Sequence, residues 1–260
     1  MSFQAEIGAL RELLDFAERE VAPQLKNEGH AEEIALYMAF FWRATTTARA
    51  VLLLCEHNFG QQAFMLNRAL FESLVDLHWI RCNRQRAEQR FVENARYLQH
   101  LKIELSERHA ERLGDLGRVS QRLKPGEVRT LERVFRKGSG SWTGLDLPAR
   151  IASVEASLDD EGDRADLRFF YEVVNRQQNE ELHPTSWSLA RMLRRVPQRD
   201  GTIRLEVRTD PERELVAAAL GPTIWIYAAI VAVLVDIFEV PNGERLKDLA
   251  TRAEAAFRSH

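Results

Sequence analysis

The chain has 260 residues, 45% of them hydrophobic and 29% charged, enough to bury a sizeable core in one large domain or two small ones. A formal net charge of −3 excludes a global electrostatic pull toward nucleic acid or anionic lipid. Cys55 and Cys82 lie in apolar helical text without CxxC spacing, which points to buried thiols in a reducing cytoplasm rather than a disulfide or thiolate metal site.

Residues 3–21 place Ile7, Leu10, Leu14, Ala17 and Val21 at three- and four-residue intervals, the period of an amphipathic helix that Pro23 ends. Glu6 stands early and no basic start precedes an apolar run, so no signal peptide is expected. A second helix is predicted over 32–57, with apolar Ile34, Met38 and Phe41 and a strongly apolar end at Val51–Leu54. Asn58-Phe59-Gly60 then reads as a helix–helix turn, with Gly60 as its left-handed cap.

The third helix begins near Gln61 and buries Leu66, Ala69, Leu70, Leu74 and Leu77. Beside that face Arg68, Glu72 and Asp76 recur at four-residue steps, either as exposed intrahelical ion pairs or as a polar stripe facing a pocket. The pattern continues to about Leu113 as one long helix or two with a bend. Residues 114–137 are rich in Arg and Lys, but Asp115, Glu127 and Glu132 interrupt them, so a solvated helical face is favoured over a nucleic-acid surface. The loop from Gly138 to Gly144 carries Trp142, expected to plug it onto the core. A short helix over 147–158 and an acidic turn over 159–163 follow.

Phe169 to Trp187, FFYEVVNRQQNEELHPTSW, reads as a central helix. Arg176, Asn179, Glu180 and His183 share one stripe, because steps of three, four and seven residues return to the same face. His183 precedes Pro184, and the residue before a proline is biased out of helical geometry, so the imidazole stands at a helix end. Ser186 offers a hydroxyl for a cap or a ligand. A purely structural alternative pairs Arg176 with Glu180 and bonds His183 to buried backbone.

Downstream, Arg199-Asp200-Gly201-Thr202 and the alternation Ile203, Leu205, Val207 predict a small β-hairpin near 196–207, the only sheet expected. From Leu215 to Val235 no residue is charged, a length that suits a membrane span. Gly221-Pro222 interrupts the run, its flanks are acidic or mixed, and its Ala-rich stretches suit a central helix, so a buried core helix starting near Pro222 is favoured. A polar amphipathic helix over 244–257 closes an all-α, single-domain bundle of residues 1–260.

NRALFESLVDLHWI, the GSWTGL loop and FYEVVNRQQNEELHPTS together resemble a bacterial helical family, domain of unknown function 5677, across most of residues 30–240. The step from Arg176 to His183 also resembles the signature of the HEPN superfamily (higher eukaryote and prokaryote nucleotide-binding helical domains), although Gln177 stands where that superfamily usually has Asn, Asp or His. The resemblance implies a cytoplasmic, dimeric RNA- or nucleotide-binding protein, in its enzymatic form a metal-independent endoribonuclease of toxin–antitoxin or phage-defence systems. A neighbouring-gene protein would be a further partner, and no cofactor is implied. In that scheme His183 moves the proton and Arg176 holds the phosphate. Asn179, Glu180 and Ser186 orient them or bind substrate, and Arg68, Glu72 and Asp76 line the adjoining wall.

Glu180 and His183 also have the Glu-x-x-His spacing of di-iron carboxylate bundles, to which Glu72 and Asp76 could contribute. No second Glu-x-x-His is present, and no metal site is assigned. The alternatives are therefore a non-enzymatic helical scaffold or interaction module and, more weakly, a metal-dependent bundle enzyme.

Overall fold

The computed structural model describes residues 3–25, 31–109, 122–135, 141–158, 161–176, 190, 193–207, 213–241 and 243–258. Among these are nine α-helices and one two-stranded antiparallel hairpin. They divide into two compact units, one of Met1–Leu77 with Leu158–His260, the other of His78–Ser157.

The first unit is built on α1 (Gln4–Phe16), α2 (Ala31–Glu56), most of α3 (Gly60–Cys82) and the late helix α8 (Arg213–Ile237). Helix α8 packs against α1, α2 and the C-terminal helix α9 (Gly243–Arg258). Ile7, Leu10, Leu14, Ala17 and Val21 are all buried, as their spacing predicts. The α-helix nonetheless widens into a π-turn at Ala17–Val21 before Pro23 enters a short 3₁₀ turn. On α2 the sequence Phe41, Ala44, Thr45, Ala48, Val51, Cys55 forms the inward stripe. Thr45 and Tyr227 share a buried hydroxyl–hydroxyl hydrogen bond of 2.8 Å between α2 and α8.

Two local expectations are corrected at the α2–α3 turn and on α8. The left-handed residue is Asn58 (φ 60°), not Gly60. Gly60 instead opens α3 against α8, where an added Cβ would lie 2.5 Å from the Val216 nitrogen. Helix α8 also runs straight through Gly221-Pro222 instead of starting there. Proline cannot donate to the carbonyl four residues back, a loss that normally bends or ends a helix. The carbonyl left without a helical donor is that of Ala218; at the neighbouring Ala219 carbonyl α3 adds a bond of its own, Asn67 Nδ2 donating at 2.8 Å.

The second unit begins at the end of α3. Asn83 (φ −132°, ψ 39°) breaks the polar pattern into two helices, α3 and α4 (Arg84–Arg108), and its Nδ2 bonds the Trp79 carbonyl at 3.1 Å. Cys82 is consequently exposed, whereas Cys55 is buried. Tyr97 of α4 stacks on Phe135 of α5 (Pro125–Phe135) at 5.9 Å, and Leu131 completes their cluster. Glu127 accepts from the Lys124 backbone N–H and from Arg96, both at 2.9 Å, so it caps α5 and ties it to α4. Trp142 meets the edges of Trp79 and Phe91 at 5.4 and 5.9 Å. Gly144 (φ +74°) lets the loop turn so close to Val134 that a Cβ would sit 2.9 Å from its Cγ1. Asp146 then caps α6 (Leu147–Glu155) through the Ala149 N–H at 2.9 Å.

Back in the first unit, α7 (Glu161–Phe169) takes up residues 161–163 of the expected acidic turn and continues as a π-turn over Phe170–Asn175. Strands β1 (Leu193–Pro197) and β2 (Ile203–Val207) pair from Leu193↔Val207 to Pro197↔Ile203, so the hairpin starts three residues before its predicted bound. The Asp200 carboxylate closes its turn by accepting from the Thr202 N–H at 3.0 Å and hydroxyl at 2.6 Å.

Candidate functional site

Arg176 is the described member of the Arg–His pair, and it is exposed. Its helical segment is clamped one and a half turns earlier. Phe170 lies 4.6 Å from Trp225 of α8 and 6.3 Å from Phe71 of α3, near-parallel to both at 28° and 26°. Phe169 meets Phe170 edge-on at 5.7 Å and is 53% exposed, and Trp225 is 38% exposed. Buried aromatics thus fix the segment, while part of the same cluster stays open to solvent.

The π-turn between this clamp and Arg176 changes the phase of the segment. Its wider turn carries more residues per revolution than an α-helix, so Arg176 is rotated relative to Phe169 from where a seven-residue step would place it. Hydrophobic periodicity assumes a constant 3.6-residue turn and does not signal such a widening.

The polar row on α3 divides between a partly buried ion pair and a buried carboxylate. Arg68 Nε pairs with Glu72 Oε1 at 2.9 Å, with both side chains only partly exposed. Asp76 is 4% exposed and belongs to the interior. Leu70, Leu74 and Leu77 are buried as expected, whereas Leu66 and Ala69 are half-buried. The deeper stripe holds Ala63, Asn67 and Phe71.

Asn67 is the residue that periodicity missed. Its amide donates to the Ala219 carbonyl, and its Oδ1 receives the Thr223 hydroxyl, which also lies 2.7 Å from that carbonyl. Asn67 and Thr223 are fully buried, so the network joins α3 to α8 through polar atoms that would be costly to leave without partners. A polar residue on a buried face carries no signal in an apolar-periodicity search.

His183, Asn179, Glu180 and Ser186 lie outside the described residues. Among the described residues no three His, Cys, Asp or Glu side chains converge as metal ligands, Glu72 and Asp76 included.

These features define a helical-bundle protein with one small hairpin and an exposed arginine beside an aromatic clamp. The chain belongs to a family of unknown function (DUF5677), whose model matches residues 34–201, from the first turn of α2 to the hairpin turn. The match is narrower than the 30–240 span suggested by the motifs and leaves α1, β2, α8 and α9 outside it. No curated protein and no solved structure matches the chain.

Proposed function

We propose that this is a HEPN-like cytoplasmic protein that binds RNA or a nucleotide and cleaves RNA without a metal, in a toxin–antitoxin or phage-defence setting. The observation that carries this reading is the exposed Arg176 on a segment held by the Phe71–Phe170–Trp225 clamp. A guanidinium holds phosphate through a forked set of donors, and partly exposed aromatic faces accept stacked bases. Arg176 would stabilise the developing negative charge on phosphorus. His183 would take the proton from the ribose 2′-hydroxyl and return one to the leaving oxygen.

The test is cleavage of single-stranded RNA by the purified protein in excess chelator, beside His183→Ala and Arg176→Ala variants shown to be folded by circular dichroism. Wild type should cut, and loss of the acid–base group should cost about 10²- to 10⁴-fold. Trp225→Ala should weaken RNA binding by about 1–3 kcal/mol if a base stacks there. A wild type that leaves RNA intact, or alanine variants that cut as fast, removes the nuclease reading.

A second reading, a non-enzymatic scaffold or interaction module, is favoured by the burial of Asp76 and the Asn67–Thr223 network. It predicts that changes at α3 lower the melting temperature and leave RNA binding untouched.

A further inference from the structure

The hairpin departs from the usual rule for a small sheet. One of its faces carries Leu193, Ile203, Leu205 and Val207, which are 41%, 57%, 59% and 71% exposed, together with Pro197 and with Arg195 opposite Leu205. An isolated two-stranded hairpin is marginal in water and gains stability from further strands or a covering element. Among the described residues the sheet has two strands only.

The backbone identifies the edge that can be extended. Gln198 donates to the Thr202 carbonyl at 2.8 Å, so 198:202 is a bonded pair. Bonded and non-bonded pairs alternate in an antiparallel ladder, which makes 196:204 and 194:206 bonded as well. The N–H and C=O groups of Ile203, Leu205 and Val207 therefore point away from β1. On the opposite edge the outward positions are Leu193, Arg195 and Pro197. Pro197 has no N–H to offer, and a two-fold centred on Arg195 would set that arginine against its own copy.

We infer that the outer edge of β2 pairs antiparallel with β2 of a second copy, about a two-fold axis at Leu205, to form a four-stranded sheet. In this register Leu205 bonds to Leu205 of the second copy, and Ile203 bonds to its Val207. The intervening non-bonded pair, where side chains approach most closely, sets Arg204 opposite Glu206 of the second copy, twice over by symmetry. Glu206 already gathers Arg194 of β1 at 3.1 Å and Arg204 of its own strand, so an extended ladder of alternating charge forms on the polar face. The apolar side chains align laterally on the other face. The edge is self-complementary in hydrogen bonds, charge and apolar pattern, which is what an isologous interface requires. This surface is argued from the hairpin alone and does not depend on RNA cleavage.

The test is sedimentation equilibrium of the full chain as wild type, Arg204→Glu and Glu206→Arg, followed by an equimolar mixture of the two variants. Wild type should dimerise. Each variant alone places like charges in both central pairs and should raise the dissociation constant about tenfold or more. The mixture restores opposite charges in both pairs, so a heterodimer should reappear. Leu205→Cys in a Cys82→Ser background should cross-link under mild oxidation, because cross-strand Cα separations of about 5.5 Å suit a disulfide. A monomeric wild type, a dimer unaffected by either charge reversal, or a mixture that stays monomeric overturns the inference.

Discussion

Asn58 and Gly60 divide between them what the turn after α2 requires. Asn58 adopts the left-handed conformation at φ 60°, which Asn tolerates better than most side chains. Gly60 is needed for a different reason, the backbone of α8 at Leu215–Val216 lying where its Cβ would be. The cysteines, each at the end of a helix, separate by burial: Cys55 is buried and Cys82 exposed. Burial pushes the Cys55 thiol up to about 12, with the neighbouring Glu56 carboxylate adding to the effect. Alkylation needs the thiolate, so iodoacetamide at pH 8 should label folded protein once, at exposed Cys82, and reach Cys55 only after denaturation. Peptide mapping by mass spectrometry checks this. Labelling of Cys55 at a comparable rate would mean that the end of α2 opens readily. The composition identified both residues as thiols outside any metal motif, but only the helix break at Asn83 decided that Cys82 faces water.

At the scale of elements, α8 carries the sharpest ambiguity. Leu215–Ile237 is long and apolar enough to cross a membrane by length and composition. In the bundle it is surrounded on most sides, with Val216, Leu220, Ile226, Tyr227, Ile230, Val231 and Leu234 fully buried and Trp225, Ala232 and Asp236 on its open stripe. A core helix tolerates charge on the open stripe alone. Ala232→Asp should therefore change stability by no more than about 0.5 kcal/mol. Val231→Asp should unfold the bundle, since a carboxylate without partners in the core costs several kcal/mol. Urea denaturation of both variants in detergent-free buffer is the check, and equal damage from both would count against a helix buried on one side only. The hairpin illustrates the reverse case. Its alternation was legible from Ile203 to Val207, yet alternation ordinarily means one face buried, and here no residue of either strand is buried.

For the whole molecule, the two compact units have separate aromatic anchors: Phe71–Phe170–Trp225 in one, and Tyr97–Phe135 with Trp79–Trp142 in the other. Phe135→Ala should cost about 3–5 kcal/mol locally. Amide exchange should then accelerate in α4 and α5, while α8, centred on the Thr45–Tyr227 bond, keeps its protection. Uniform loss of protection in all three helices would show that the units unfold together.

Much of the architecture was determined by the chain text alone. The positions of α1, α2 and α9, the all-α class with one hairpin, the inward stripe of α1 and the role of Trp142 follow from period and turn residues, which act over a few residues. Tertiary structure decided what depends on contact between distant segments. That Asn67 faces Ala219 and Thr223, that Pro222 is carried inside a helix, that Gly60 is a point of close approach, and that Phe170 is clamped between Phe71 and Trp225 are all properties of helices meeting. The π-turn ahead of Arg176 belongs with them, because a widened turn leaves no periodic mark of its own in a single sequence and is held in place by the packing around it.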